Sequence, residues 1–81
     1  MPDHRRDDLD YGQQYQAFLA RLRTARHDAG MTQQEAAYLL NKSQTYVSRS
    51  ENGERRVDAI ELRQFALIYG KPISYFLDEA E

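Results

Sequence analysis

The segment from residue 33 to residue 52, QQEAAYLLNKSQTYVSRSEN, constrains the fold most, because it predicts two short helices joined by a tight turn. Ala37 is a small residue in the middle of the first of these helices and lets the second cross closely. Asn41 tolerates the positive φ with which a helix ends in a turn. Val47 supplies an apolar side chain that seats the second helix on the first. The segment therefore predicts two helices packed against each other across the turn.

The residues before this segment predict a longer amphipathic helix from residue 13 to residue 29. Its apolar residues recur at intervals of three and four, and Gly30 ends it; they are Tyr15, Phe18, Leu19, Leu22, Ala25 and Ala29. Thr32 and Glu35 have the spacing of a capping box, which predicts that the next helix begins there and runs through Leu40. Ser43 is a suitable N-cap for a third helix from residue 44 to about residue 51.

Two further helices are predicted after the Asn52-Gly53 turn. Asp58 caps a fourth helix that stops at Gly70, with an apolar set of Ile60, Leu62, Phe65, Ala66 and Tyr69. Pro72 occupies the first position of a short fifth helix that contains Ile73, Phe76 and Leu77. No alternating strand pattern is present. The sequence predicts an all-α domain of five short helices over residues 13–78, between a flexible polar arm (1–12) and an acidic tail (79–81).

Composition restricts the class of protein. A chain of 81 residues makes one small domain, and the absence of cysteine excludes disulfides and thiolate metal sites. There is no apolar run of about 18 residues that would span a membrane. The first twelve residues carry charges of both signs and no apolar core, so they do not form a signal peptide. We expect a soluble cytoplasmic protein.

The net charge of −2 conceals an uneven distribution. Residues 31–56 contain four basic and three acidic residues, whereas residues 57–81 contain two basic and five acidic residues. One face of the domain is thus expected to be locally positive, as a site-specific nucleic-acid binder requires. An ordinary mixed surface explains the charges equally well.

Several motifs in this order resemble the phage-repressor-like family of helix-turn-helix DNA-binding proteins, also called the XRE family. They are MTQQE at the start of the second helix, SQTYVSR in the third, ENGERR after it, and Tyr69-Gly70 at the end of the fourth. The resemblance extends from about residue 19 to residue 77. It implies a compact, lambda-repressor-like domain that binds double-stranded DNA, with its third helix in the major groove.

The resemblance also implies which residues read the bases. The corresponding positions in the third helix are Gln44, Thr45, Ser48 and Arg49. Glutamine pairs bidentately with adenine and arginine with guanine, and Thr45 can contact either a thymine methyl group or a phosphate. Without the resemblance, Gln44 and Thr45 would be ordinary exposed residues of a first helical turn.

Other residues correspond to positions that hold phosphates. Gln33 stands where related proteins use a glutamine both to hold a phosphate and to brace the first glutamine of the third helix, here Gln44. Further candidates for phosphate contacts are Lys42, Ser43, Tyr46, Arg55 and Arg56. Each of these is also compatible with a solvated surface position, and Ser43 is expected first of all to cap its helix.

The resemblance implies one structural ion pair, between Arg26 and Glu51, that ties the first helix to the end of the third. Two positions depart from the family pattern. Ser50 replaces a larger apolar residue, so the third helix is expected to be less firmly seated or covered by an aromatic side chain such as Tyr69. Lys42 replaces an apolar turn residue, and its stem can cover the core while its ammonium reaches a phosphate.

No pattern for enzymatic chemistry is present. His4 and His27 lack a zinc-ligand spacing, and the serines have no recognisable base to activate them. The four glycines are explained as helix breakers rather than as a phosphate-binding loop. We therefore expect neither an enzyme nor a protein with a cofactor, a metal or a small-molecule substrate.

The expected function is sequence-specific transcription regulation by a homodimer on a pseudo-palindromic operator. Ile68, Tyr75 and Leu77 are the candidate dimer residues, and the alternative is that they only complete the core of the monomer. Repression by covering a promoter and activation through contact with RNA polymerase both stay open, as does the operator sequence. The alternative is an antitoxin-like or adaptor module that uses the same scaffold to bind a protein.

Overall fold

The computed structural model describes residues 9–77, and this part of the chain is helical and contains no strand. Five helices follow one another within it: α1 (Tyr11–Asp28), α2 (Gln33–Leu40), α3 (Gln44–Asn52), α4 (Ala59–Tyr69) and α5 (Ile73–Leu77). The predicted all-α, five-helix fold is confirmed. The acidic tail at 79–81 and the first eight residues of the predicted arm lie outside the described residues.

Helix α1 begins two residues earlier than the apolar spacing predicts. The Asp10 carboxylate accepts a hydrogen bond from the backbone N–H of Gln13 at 3.0 Å, which makes Asp10 the N-cap. Tyr11 and Gly12, which the apolar spacing places in the arm, therefore form the first turn of the helix. The Tyr11 ring stacks on Tyr15, with 5.6 Å between ring centroids. The inner boundary of the predicted arm is corrected accordingly.

The predicted caps around the turn between α2 and α3 are confirmed. Thr32 and Glu35 form both hydrogen bonds of a capping box. Asn41 has φ 59° and is the one non-glycine residue with positive φ among residues 9–77. The Ser43 hydroxyl accepts a hydrogen bond from the N–H of Tyr46 at 3.2 Å. These local contacts fix where α2 stops and α3 starts.

All five helices contribute to one hydrophobic core. Its fully or almost fully buried members include Leu22, Ala25, Ala36, Ala37, Val47, Phe65 and Phe76. The methyl-sized side chains of Ala36 and Ala37 allow α3 to approach α2 closely, and Val47 fills the space between them. The core thus holds one side of α3 rigidly and leaves the other side to solvent.

Three residues of the predicted apolar sets lie largely outside this core. Ile60 is 65% exposed, Ile73 is 40% exposed and Leu77 is 63% exposed. On α4, Ile60 lies about 200° around the helix axis from Leu62 and so cannot share its buried face. Pro72 precedes α5 rather than occupying its first position. The apolar face of α5 is consequently carried by Phe76.

We predict that Gly53→Ala destabilises the domain more than Gly30→Ala. Both glycines have positive φ, 80° and 71°, so both substitutions introduce backbone strain of about 1 kcal/mol. A Cβ at position 53 would also lie 3.0 Å from Cδ1 of the buried Leu19, whereas position 30 has no heavy atom within 4 Å. Urea unfolding of both variants measures the difference. Equal losses of stability would show that Leu19 gives way without cost.

Candidate nucleic-acid interface

The solvent-facing side of α3 carries the residues that are predicted to read bases. Gln44, Thr45 and Arg49 are exposed, and Ser48 is half-buried. The opposite face of the helix, which includes Val47 and two polar residues described below, is buried. Because Ser43 caps the helix, its first turn projects from the domain with defined geometry.

A buried ion pair joins α1 to the last turn of α3. Arg26 Nε lies 2.7 Å from Glu51 Oε2, and Arg26 Nη2 lies 3.1 Å from Glu51 Oε1. The side chains are only 11% and 1% exposed. The hydrogen bond to Glu51 raises the pKa of Arg26, with burial acting in the opposite direction. Arg26 also donates to the carbonyl of Met31 at 3.0 Å, so one guanidinium fixes three parts of the fold.

Hydrogen bonds continue from this ion pair to the first turn of α3. Gln33 Nε2 donates to Glu51 Oε1 at 3.1 Å, and Gln44 Nε2 donates to Gln33 Oε1 at 3.2 Å. The structure thus brings Gln33 and Gln44 together and links both to Glu51. Gln44 is the exposed end of a chain of polar contacts that begins in the core.

Arg23 was not singled out from the sequence, although it also contacts the end of α3. Its Nη1 donates to the backbone carbonyl of Glu51 at 2.9 Å. Carbonyls at the C-terminal end of a helix lack intrahelical partners, and a cation there is stabilising. The spacing of Arg23 and Arg26, one turn apart on α1, is the sequence signal that would have indicated it.

Tyr69 lies in the same buried region. Its hydroxyl is buried and has no hydrogen-bond partner among residues 9–77. Burial raises the pKa of Tyr69 strongly, and the negative charge of Glu51 raises it further. The ring packs against Phe65 with 5.9 Å between centroids. Tyr69 is therefore a neutral core residue at all ordinary pH values.

The buried hydroxyl of Ser50 is fully used in hydrogen bonds. Ser50 Oγ donates to the carbonyl of Tyr46 at 2.7 Å and accepts from Arg55 Nη1 at 3.1 Å. Ser50 is completely buried. The expectation that α3 is less firmly seated at Ser50 is therefore not met. Arg55 supplies a polar partner at the position where an apolar side chain would otherwise pack.

Arg55 belongs to a cluster that connects α3 to α4. Its Nη2 lies 2.8 Å from Glu61 Oε2, and its guanidinium stacks over the Tyr46 ring at 4.3 Å from the centroid. The opposite side of that ring packs on Phe65 in a stacked arrangement. Lys42 Nζ also lies 5.2 Å from the Tyr46 centroid. Arg55 and Tyr46 are thus engaged within the domain, while Lys42 is exposed.

Arg56 contacts the start of α1 instead. Its guanidinium lies 5.3 Å from the Tyr11 centroid and 4.6 Å from the Tyr15 centroid. The Tyr15 hydroxyl accepts a hydrogen bond from the N–H of Val57 at 3.0 Å. The two tyrosines therefore fasten the loop after α3 to the first turns of α1. Two tyrosines four residues apart, Tyr11 and Tyr15, are the sequence signal that would have indicated this contact.

The three predicted dimer residues lie at the C-terminal side of the domain. Ile68 and Tyr75 are half-buried, whereas Leu77 is exposed. Arg21 Nη1 donates to the carbonyl of Tyr75 at 2.7 Å, and Lys71 Nζ lies 4.6 Å from the Tyr75 ring centroid. Tyr75 thus already helps to dock α5 on α1, and Leu77 has the most free apolar surface of the three.

Within residues 9–77, no three His, Cys, Asp or Glu side chains cluster as a metal site would require. The helices in this range include none that is long and apolar enough to cross a membrane.

The chain belongs to a family described as the helix-turn-helix domain, whose model matches residues 17–72. The match begins within α1 and ends just before α5, so it includes the α2–α3 pair and the contacts that hold it. Membership in this family indicates a DNA-binding domain. No curated protein and no solved structure matches the chain.

We predict that Arg26→Met lowers the free energy of unfolding by about 3 kcal/mol, because it leaves the Glu51 carboxylate buried without its counter-ion. Arg49→Met is the matched control. Arg49 pairs with Glu54 at 3.7 Å on the surface, where both side chains are more than half exposed. Such a pair contributes less than about 1 kcal/mol. An Arg26→Met variant as stable in urea as Arg49→Met would show that the buried pair is dispensable.

Proposed function

We propose that the protein is a sequence-specific DNA-binding transcriptional regulator of the phage-repressor type, with α3 in the major groove. One observation carries the proposal. Gln44, Thr45 and Arg49 lie exposed on a helix whose other face is locked into the core by Glu51 and Val47. A rigid helix that exposes amide, hydroxyl and guanidinium groups along its solvent-facing side suits base-edge recognition.

The exposed side chains divide the recognition chemistry among them. Gln44 would pair with adenine and Arg49 with guanine, while Thr45 would contact a thymine methyl and Ser48 a neighbouring base edge. Arg49 is free for this role because its contact with Glu54 is long and exposed. Each bidentate pair would contribute about 1–3 kcal/mol of discrimination.

Phosphate contacts would come from the residues around the two helix N-termini. Gln33 at the start of α2, together with Lys42 and Ser43 at the α2–α3 turn, is placed for them, since helix N-termini favour anions. Arg56 adds an exposed cation whose guanidinium lies over two tyrosine rings. Arg55 and Tyr46 are weaker candidates than the sequence indicates, because Glu61 and Phe65 already engage them.

A homodimer would supply the affinity that one half-site lacks. Two copies related by a two-fold axis would place their α3 helices about 34 Å apart, one turn of DNA. The surface of Ile68, Tyr75 and Leu77 supports this arrangement, and the exposed Leu67 and Ile73 extend it. Isolated apolar residues are common on monomers, so the number of such residues on α4 and α5, rather than any single one, supports the proposal.

We expect Arg49→Ala and Lys42→Ala to affect DNA binding in different ways. Arg49→Ala should relax the preference for one base pair by about 1–3 kcal/mol, since it removes a base contact. Lys42→Ala should weaken binding to all sequences and reduce the slope of log affinity against log salt by about 1, since it removes a phosphate contact. Selection from random DNA, followed by gel shifts at two salt concentrations, measures both effects.

Two results together would contradict the proposed function. If the wild-type protein selects no sequence and its binding is insensitive to salt, it is not a DNA-binding regulator. Arg55→Ala is a poor variant for this comparison, because loss of the contacts with Glu61 and Ser50 would destabilise the domain as well.

For the dimer, we predict that Leu77→Glu shifts the protein to monomer in sedimentation equilibrium, whereas Ile60→Glu does not. The two residues have almost the same exposure, 63% and 65%, so the two charges cost the monomer similar amounts of stability. Only Leu77 lies in the proposed interface. Equal dimerisation of both variants, or a monomeric wild type, would exclude this surface.

A protein-binding module is the second candidate function, and one observation favours it. The outer face of α2 exposes Tyr38 and Leu39 beside an open groove of about 700 Å³ that also touches Met31 and Gln34. Exposed apolar side chains at a groove are typical of protein contacts. A stoichiometric protein partner that dissociates on Tyr38→Ala, combined with no selected DNA sequence, would favour this function over regulation.

A further inference from the structure

We propose that Glu51 is a positioning residue for base specificity. Through Gln33 it fixes the side-chain amide of Gln44 in the orientation that accepts adenine and rejects guanine. The inference rests on the proposed function, and it assigns to the ion pair of the core a second role at the reading surface.

The carboxylate of Glu51 determines the direction of the hydrogen bonds around it. An ionised carboxylate only accepts hydrogen bonds. Glu51 Oε1 already receives Arg26 Nη2 at 3.1 Å, and its second neighbour at 3.1 Å is the amide of Gln33. Gln33 must therefore turn its Nε2 group, the donor end, toward Glu51. The opposite orientation would bring two acceptors together beside a carboxylate that is 1% exposed.

The orientation of Gln33 then determines that of Gln44. With Nε2 directed to Glu51, the Oε1 atom of Gln33 faces Gln44 and can only accept. Gln44 must present its own Nε2 at this contact, which measures 3.2 Å. Turning the Gln44 amide by 180° would replace a hydrogen bond with an oxygen–oxygen contact at a similar distance. The polarity set by the buried carboxylate is in this way transmitted over two amides to the surface.

What remains free on Gln44 is one N–H and the Oε1 atom. In the major groove, adenine offers the N7 acceptor and the N6 donor, which match this pair of groups. Guanine offers two acceptors, N7 and O6, and would need two N–H groups from Gln44. One of the two is already given to Gln33. The chain of contacts thus disfavours guanine as well as favouring adenine, and naturally specific interfaces use both effects.

Gln33→Met tests the inference, since it keeps the length of the side chain while removing both hydrogen bonds. Gln34→Met, a change of the same type at the next position of α2, is the control. In the free protein, we expect one Gln44 side-chain N–H to exchange with water at least about threefold more slowly than the other, as a surface hydrogen bond allows. This difference should vanish in Gln33→Met and persist in Gln34→Met. Equal exchange of the two protons in the wild type would overturn the inference without reference to DNA.

The second measurement compares selected DNA sites that carry adenine or guanine at the base pair sensitive to Gln44→Ala. Wild type and Gln34→Met should prefer adenine about tenfold or more, within the range of a bidentate contact. In Gln33→Met this ratio should fall toward one, even if total affinity also falls. A wild type that selects DNA but discriminates no better than Gln33→Met would refute the inference and leave the proposed function standing. A wild type that selects no sequence would refute both.

Discussion

The ion pair between Arg26 and Glu51 is the interaction on which the rest of the structure depends. Removing two charges from water costs several kcal/mol each, and the cost is offset only where geometry and further hydrogen bonds are nearly complete. Here Arg26 makes two hydrogen bonds to Glu51 and a third to Met31, and Glu51 receives another from Gln33. These partners belong to α1, to the loop before α2, to α2 and to α3. A packing that kept one of these charges buried without the other would be strongly destabilised, so the pair favours this arrangement of the α2–α3 unit.

The elements that sequence alone predicted well are those fixed by contacts three or four residues apart. The capping box of Thr32 and Glu35, the positive φ of Asn41 and the Ser43 cap each depend on neighbours in the chain, and each is found where expected. The missed Asp10 cap is equally local; the apolar spacing that located α1 gave no information about polar residues before its first buried side chain. Helix order and the all-α fold followed from these signals.

The sequence could not determine which of two similar side chains a given partner contacts in the folded protein. Arg55 and Arg56 are adjacent and identical in chemistry, yet one pairs with Glu61 and the other lies over Tyr11 and Tyr15. The sequence predicts a phosphate-binding role for both, because local pattern does not indicate which acidic or aromatic side chain each arginine contacts, and the contacts of Arg56 reach back to the start of α1. For the candidate site, the positions on α3 could be predicted from motif order, but the link from Gln33 to Glu51 could not.

Some polar side chains of the domain are buried and hold the fold, whereas others are exposed and available to a partner. Thr45 and Arg49 are exposed, so in the proposed function their replacement would change recognition at small cost in stability. Gln44 differs, because its amide is attached to the interior through Gln33. A new base preference at Gln44 would therefore require a compatible change at Gln33, whereas Thr45 and Arg49 can vary alone. The same buried charge that specifies the fold would in this way restrict how one of the reading positions can change.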